Sequence, residues 1–166
     1  MEQLNNGLKY IGYSIVFQEV PNEVSLAINI SGCPHKCMGC HSKYLWEYKG
    51  RFVNDDLDTI ISKNVFMITC VCFMGGDQNQ NELKSHLKHI KDFYKLKTCL
   101  YTGLNNVKEL NTLLKYLDYI KFGEYNEKLG GLDKITTNQK MFTVNNGYLE
   151  KDITSSFLHK YRDISK

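Results

Sequence analysis

Ser25-Leu-Ala-Ile-Asn-Ile30 runs without interruption into Ser31-Gly-Cys-Pro-His-Lys-Cys-Met-Gly-Cys-His41, and this junction governs how the rest of the chain is read. Alternation puts Leu26, Ile28 and Ile30 on one face, the period of a strand. The strand delivers the chain into a loop carrying Cys33, Cys37 and Cys40 at a three-then-two spacing. Three thiolates are one fewer than a closed four-ligand metal site needs. On one short loop they can hold a 4Fe-4S cubane by three irons and leave the fourth open to a small molecule.

Outward from that junction, strands and helices alternate. Tyr10 to Phe17 reads as an earlier strand, with Pro21-Asn22 a turn. Asn54 is a good N-cap for a helix over roughly 55–63, with Asp55 and Asp56 in its first turn. Val65 to Phe73 is β-rich and apolar on both faces, as a buried parallel strand should be, and it ends at Gly75-Gly76-Asp77. Leu83, Leu87, Ile90 and Tyr94 trace one face of a second helix, and Thr98 to Thr102 gives a short strand closed by Gly103. A third helix from Asn105 or Asn106 carries Val107, Leu110, Leu113, Leu114 and Leu117 on one stripe and leads into a strand at 118–123. Asn145-Asn146-Gly147 then joins a final hairpin, Lys140 to Val144 with Tyr148 to Glu150.

The order βαβαβαβ predicts an α/β fold with parallel strands and right-handed crossovers. A complete eight-unit barrel needs about 250 residues, so a chain of 166 can supply only a compact partial (β/α) barrel. With 42% hydrophobic residues, no repeat and no linker, residues 1–166 read as a single domain. No apolar stretch approaches membrane-spanning length. The first ten residues, Met1 to Tyr10, lack the apolar core of a signal peptide, which predicts a reducing cytoplasm where cysteines serve metals or packing rather than disulfides. A net charge of +3, with both signs interleaved, argues against a nucleic-acid surface.

The cysteine loop admits three metal readings. Cys37-Met-Gly-Cys40-His41 is the C-x-x-C-H string of covalent haem attachment, but it leaves Cys33 unexplained and normally follows export. A Cys3His zinc site would use His41, yet Cys40 and His41 are adjacent and their side chains diverge on an extended backbone. The cluster with an open iron uses all three cysteines.

Cys-x3-Cys-x2-Cys after the first strand of a β/α chain resembles the radical S-adenosylmethionine enzymes. The resemblance implies that the open iron chelates the amino and carboxylate groups of S-adenosylmethionine, whose reductive cleavage gives a 5'-deoxyadenosyl radical. It also implies that Gly75-Gly76-Asp77 corresponds to the family's Gly-Gly-acid motif for the methionyl amine. Paired glycines at a strand's carboxyl end let backbone approach a ligand, and Asp77 adds charge-assisted attraction. Gly39, Cys40 and His41 would contribute near the cofactor, His41 through its backbone. Two departures stand out: Gln78-Asn79 replaces the usual Pro and apolar residue, and Met74 replaces a small polar one.

The narrower features are Gly-Cys-x3-Cys-x-Gly-Cys with Trp46, Tyr101-Thr-Gly103, Tyr119-Ile-Lys-Phe-Gly123, and Gly130-Gly-Leu-Asp133 leading to Thr136-Thr-Asn-Gln-Lys140. Together, from about residue 10 to 145, they resemble the activating proteins of anaerobic ribonucleoside-triphosphate reductase. That likeness implies a protein substrate, the anaerobic reductase, on which a glycyl radical is made, and a one-electron donor such as flavodoxin or ferredoxin. The rivals are an activase for another glycyl-radical enzyme, a small-molecule radical synthase, and a zinc-bound partner-binding module.

The remaining chemistry-bearing residues read as structural. Cys70 and Cys72 share a strand face and Cys99 lies on the next strand, so small buried hydrophobes are expected there in preference to a second cluster or a redox dithiol. His35 sits inside the loop within reach of a thiolate. His86, His89 and His159 read as ordinary surface positions, and Trp46 as packing beneath the loop. Lys121, near a strand's carboxyl end, is read either as a contact for the cofactor's carboxylate or as a solvated or paired lysine.

Overall fold

Four strands that each follow a loop or helix crossover build the centre of the molecule. In a computed structural model that describes residues 7–161, β2 (Ser25–Ile30), β4 (Cys70–Met74), β5 (Lys97–Tyr101) and β6 (Tyr119–Phe122) lie side by side and parallel. Antiparallel strands extend both edges: β1 (Lys9–Val16) and β3 (Arg51–Phe52) beside β2, and the hairpin β7 (Lys140–Asn145) and β8 (Tyr148–Asp152) beside β6. The result is one mixed eight-stranded sheet in the order β3-β1-β2-β4-β5-β6-β7-β8.

The connection α1 (Val53–Asn64) brings the chain from β3 at the sheet edge past β1 and β2 to β4, and α2 (Gln80–His89) and α3 (Asn111–Leu114) each carry it one strand further in the same direction. Crossovers of one hand advancing in one direction place their helices on one face. Accordingly, Leu57, Ile60 and Ile61 of α1, Leu83 and Leu87 of α2, and Leu113 and Leu114 of α3 join a single core with Leu26, Ile28, Ile30, Val71, Phe73, Leu100 and Ile120 of the strands. The opposite face of the same strands shows Cys70, Cys72 and Cys99, which pack with Val20, Met141 and Phe157 in a separate, smaller cluster. No α-helix covers that face among the described residues; the 3-10 helix Thr154–Tyr161 covers part of it through Phe157.

Four local readings change. Asn54 is not the N-cap of the first helix: α1 already starts at Val53 with Phe52 in the cap position and no side-chain cap, and Val53 N–H donates instead to the Leu8 carbonyl at 2.9 Å. Residues 65–67 form a turn, not strand, because the Met67 amide donates to the Asn64 carbonyl at 2.8 Å. Phe66 is consequently fully exposed, and β4 begins at Cys70, after Thr69 has bonded Val24. The third helix is shorter than its stripe suggests: the Asn106 side chain accepts from the Lys108 amide at 3.1 Å, a tight cap that starts a 3-10 turn over Val107–Leu110. Leu110, Leu113, Leu114 and Leu117 are buried as the stripe requires. His86 is not a surface residue: it stacks on Phe73 and bonds Glu82 at 3.2 Å. The side chain of His159 lies outside the described residues.

At the amino ends of the strands, Glu23 gathers a network. Its carboxylate accepts from Lys97 at 2.5 Å, Tyr119 at 2.6 Å and Thr69 at 2.5 Å, and ties the β1–β2 connection to β5 and β6.

Candidate functional site

The cysteine loop leaves β2 at the carboxyl ends of the parallel strands, where α/β proteins bind ligands. Gly32 takes a positive φ of 76°, and the chain is pinned by Cys33 N–H donating to the Leu45 carbonyl at 2.9 Å and Gly32 N–H to Glu47 at 3.2 Å. A turn then closes with Cys40 N–H on the Cys37 carbonyl at 3.1 Å. Gly39 has φ 75°, and a Cβ there would sit 2.9 Å from Glu127, so both conformation and space select glycine.

Cys33, Cys37 and Cys40 line one cavity of about 190 Å³, together with Gly75, Asp77 and Gly103 from the ends of β4 and β5. A single water needs roughly 15 Å³ on this measure, so the space suits a much larger group. Each cysteine is free and partly exposed. Burial pushes the Cys33 thiol up, while the backbone N–H groups of His35 and Lys36 act in the opposite sense by favouring a thiolate. The Ser42 amide donates to Cys40 Sγ at 3.3 Å.

Gly75 and Gly76 take φ of 104° and 114°, conformations that side chains resist. The Gly75 amide bonds the Tyr101 carbonyl at 2.9 Å, which fixes the turn against β5. Asp77 Oδ2 lies 2.8 Å from His35 Nε2, so one carboxylate oxygen is already engaged by the cysteine loop. His35, within reach of a thiolate on the sequence, therefore meets a carboxylate. Gln78 adds a second tie, donating to the Ser31 carbonyl at 2.9 Å.

Lys121 rises from β6 into the same cavity and is 8% exposed. Burial pulls its ammonium down to about 8, against the opposing pull of the three cysteines. It donates to the Gly123 carbonyl at 3.1 Å, and among the described residues no carboxylate pairs with it. Lys121 is thus neither solvated nor salt-bridged. Trp46 also lines the cavity, and its buried indole Nε1 has no hydrogen-bond partner among the described residues.

Of the residues expected at the site, five line this cavity: the three cysteines, Gly75 and Asp77. Gly39, Gly76 and His41 stand behind them. Gly76 backs onto Leu83 and Leu8, and the His41 ring lies 5.6 Å from that of Tyr125. Sequence reasoning missed Tyr125, which comes from an irregular segment with no period to betray it, and read Gln139 only within the stretch 136–140 without placing it at the site. Thr102 and Gly103 were legible as a strand end.

The donor set is thiolate-rich and cationic at its base, with unused N–H capacity, which fits a soft anionic metal–sulfur group. Among the described residues no three His, Cys, Asp or Glu side chains converge on a single ion, whereas a cubane takes each thiolate on a separate iron. An α/β scaffold with this pocket is compatible with an iron–sulfur protein. More narrowly, the chain belongs to the 4Fe-4S single cluster domain family, whose sequence profile matches residues 23–145. Comparisons with curated proteins and with solved structures gave no match. Among the described residues no helix is long and apolar enough to cross a membrane.

Proposed function

We propose that this protein is a radical S-adenosylmethionine activase that generates a glycyl radical on anaerobic ribonucleoside-triphosphate reductase, and that its sheet is a partial (β/α) barrel of the radical S-adenosylmethionine type. The observation that carries the reading is the meeting of Cys33, Cys37 and Cys40 with the Gly75-Gly76-Asp77 turn in one cavity at the carboxyl ends of parallel strands. Helices confined to one face of those strands support the barrel assignment.

In this reading Cys33, Cys37 and Cys40 would hold a 4Fe-4S cluster. Backbone of the turn at Gly75, which lines the cavity, would accept from the cofactor's ammonium, with Asp77 supplying negative charge nearby; the Gly76 carbonyl is already taken by the Asn79 amide at 3.1 Å. The backbone around Gly39 and His41, next to Cys40, would lie near the same ligand. Bound together, the cluster and S-adenosylmethionine would supply one-electron reductive chemistry at the sulfonium. The protein's own part is positioning and exclusion. Glycines bring backbone to the ligand, Trp46 walls the cavity, and Lys121 places positive charge beside an anionic centre. A flavodoxin or ferredoxin would deliver the electron.

The test is electron paramagnetic resonance on anaerobically reconstituted protein. Adding S-adenosylmethionine should change the spectrum of the reduced cluster, and mixing with reductase, reductant and cofactor should produce a glycyl radical. A loaded cluster whose spectrum ignores the cofactor would overturn the reading. A spectral change without a radical on this reductase would move the activity to another glycyl-radical enzyme.

A further inference from the structure

The cysteine loop has little apolar burial to hold it. Met38 at its tip is 83% exposed, and Lys36 and Gly39 sit in left-handed conformations. What spans from this loop to the floor of the cavity is the pair His35 Nε2 to Asp77 Oδ2 at 2.8 Å, with side chains 17% and 5% exposed. The His35 ring is also cradled by a third strand end. A Cβ on Gly103 would lie 2.6 Å from its Cγ, so glycine is required there for the ring to stand where it does. Three separate carboxyl ends, of β2, β4 and β5, are thus brought to one imidazole.

We infer that His35 and Asp77 form a strut that sets the distance between the cysteine loop and the Gly75–Asp77 turn, and that Gly103 is the socket that keeps it in place. Asp77 on this account is a positioning residue for the loop, in addition to any charge it offers a ligand. The geometry matters because a ligand seated on the turn has to meet a group held by the thiolates. A misplacement near 1 Å between reacting groups costs on the order of a hundredfold in rate. That functional consequence rests on the cluster reading above; the strut itself does not.

The strut is tested first on metal-free protein, by amide hydrogen exchange over Cys33 to Ser42. His35→Ala and Asp77→Ala should each speed exchange of this loop by roughly tenfold or more, the scale of a partly buried, charge-assisted hydrogen bond, with β4 and α1 unchanged. The double variant should be no looser than either single one. His35→Gln, whose amide nitrogen reaches the same place, should restore most of the protection. Gly103→Ala leaves both partners present but evicts the ring, and should loosen the loop as His35→Ala does; it also serves if His35→Ala does not fold. Unchanged loop exchange in these variants, additive single effects, or no rescue by glutamine would overturn the strut. Iron and sulfide after reconstitution are read separately. Wild-type protein that takes up neither defeats the cluster reading while leaving the exchange result standing. If the cluster forms, His35→Ala and Asp77→Ala should lose it faster to a chelator than wild type.

Discussion

Cys33, Cys37 and Cys40 lie on a glycine-punctuated loop and are each partly exposed, whereas Cys70, Cys72 and Cys99 lie on β4 and β5 and are fully buried. Each triplet has a lysine near it, and the lysines differ as much as the thiols do. Lys97, beside the strand triplet, is neutralised by Glu23 at 2.5 Å. Lys121, in the cavity of the loop triplet, has no carboxylate partner among the described residues. Burial pushes the Cys70 and Cys99 thiols far above the ordinary cysteine range, so they remain protonated small hydrophobes. In the loop, backbone N–H groups are aimed at Cys33 and Cys40. In the proposed reading, one residue type serves as ligand or as filler according to whether its surroundings can stabilise a thiolate.

The sharpest way to break this contrast is to exchange the triplets' fates. Cys33→Ala, Cys37→Ala and Cys40→Ala should each abolish iron uptake and cofactor cleavage, measured as iron and sulfide per chain and as methionine released. Cys72→Ala should keep its iron. Iron retained by a loop variant would end the assignment. Next in size is protection: in metal-free native protein, alkylation followed by mass mapping should label the loop cysteines and spare the strand cysteines until the chain is unfolded.

Glu23→Gln tests whether the charge near the strand triplet is purely structural. Burial would raise the Glu23 carboxyl, but hydrogen bonds from Lys97, Thr69 and Tyr119 outweigh it and hold it below its usual value. Its folded-state value is lowered, so its stabilisation is present above the unfolded carboxylate pKa, about 4.3, and is lost as pH falls through the folded value. Denaturant titrations should show the variant losing about 2 kcal/mol at pH 7 and less of its remaining stability between pH 5 and pH 3 than wild type.

Smaller still is the effect of Lys121→Met. Removing positive charge near an anionic cluster makes reduction harder, so the midpoint potential should fall by tens of millivolts, on the order of one screened charge interaction. An unchanged potential would show that Lys121 does not sense the cluster. The smallest effect expected is the destabilisation of Cys72→Ala, about 1 kcal/mol for a small cavity, with the potential unmoved.

Much of the layout was legible because periodicity reports burial. Leu26, Ile28 and Ile30, the Leu83–Leu87 face and the leucine stripe from Leu110 to Leu117 all entered the core as their spacing required. The run from Val65 to Phe73 misled because apolar composition does not distinguish a strand from a turn that leaves Phe66 exposed; the Asn64–Met67 bond made that decision. His86 misled for the converse reason, since a polar side chain can be buried when Glu82 and Phe73 satisfy it. At the site, the cysteines and the paired glycines announced themselves by type and spacing. Gln139 and Tyr125 did not, because irregular backbone leaves no pattern to read.

The sequence by itself determined which residues carry chemistry: three cysteines at a fixed spacing on one loop, and a glycine pair at a strand end, both local features whose covalent neighbours set their geometry. Tertiary structure alone decided that these two features face one another, that His35 closes on Asp77 against Gly103, and that Lys121 is buried without a carboxylate partner among the described residues. The physical reason is distance along the chain. His35 and Asp77 are 42 residues apart, and only the parallel pairing of β2 with β4 brings their strand ends together.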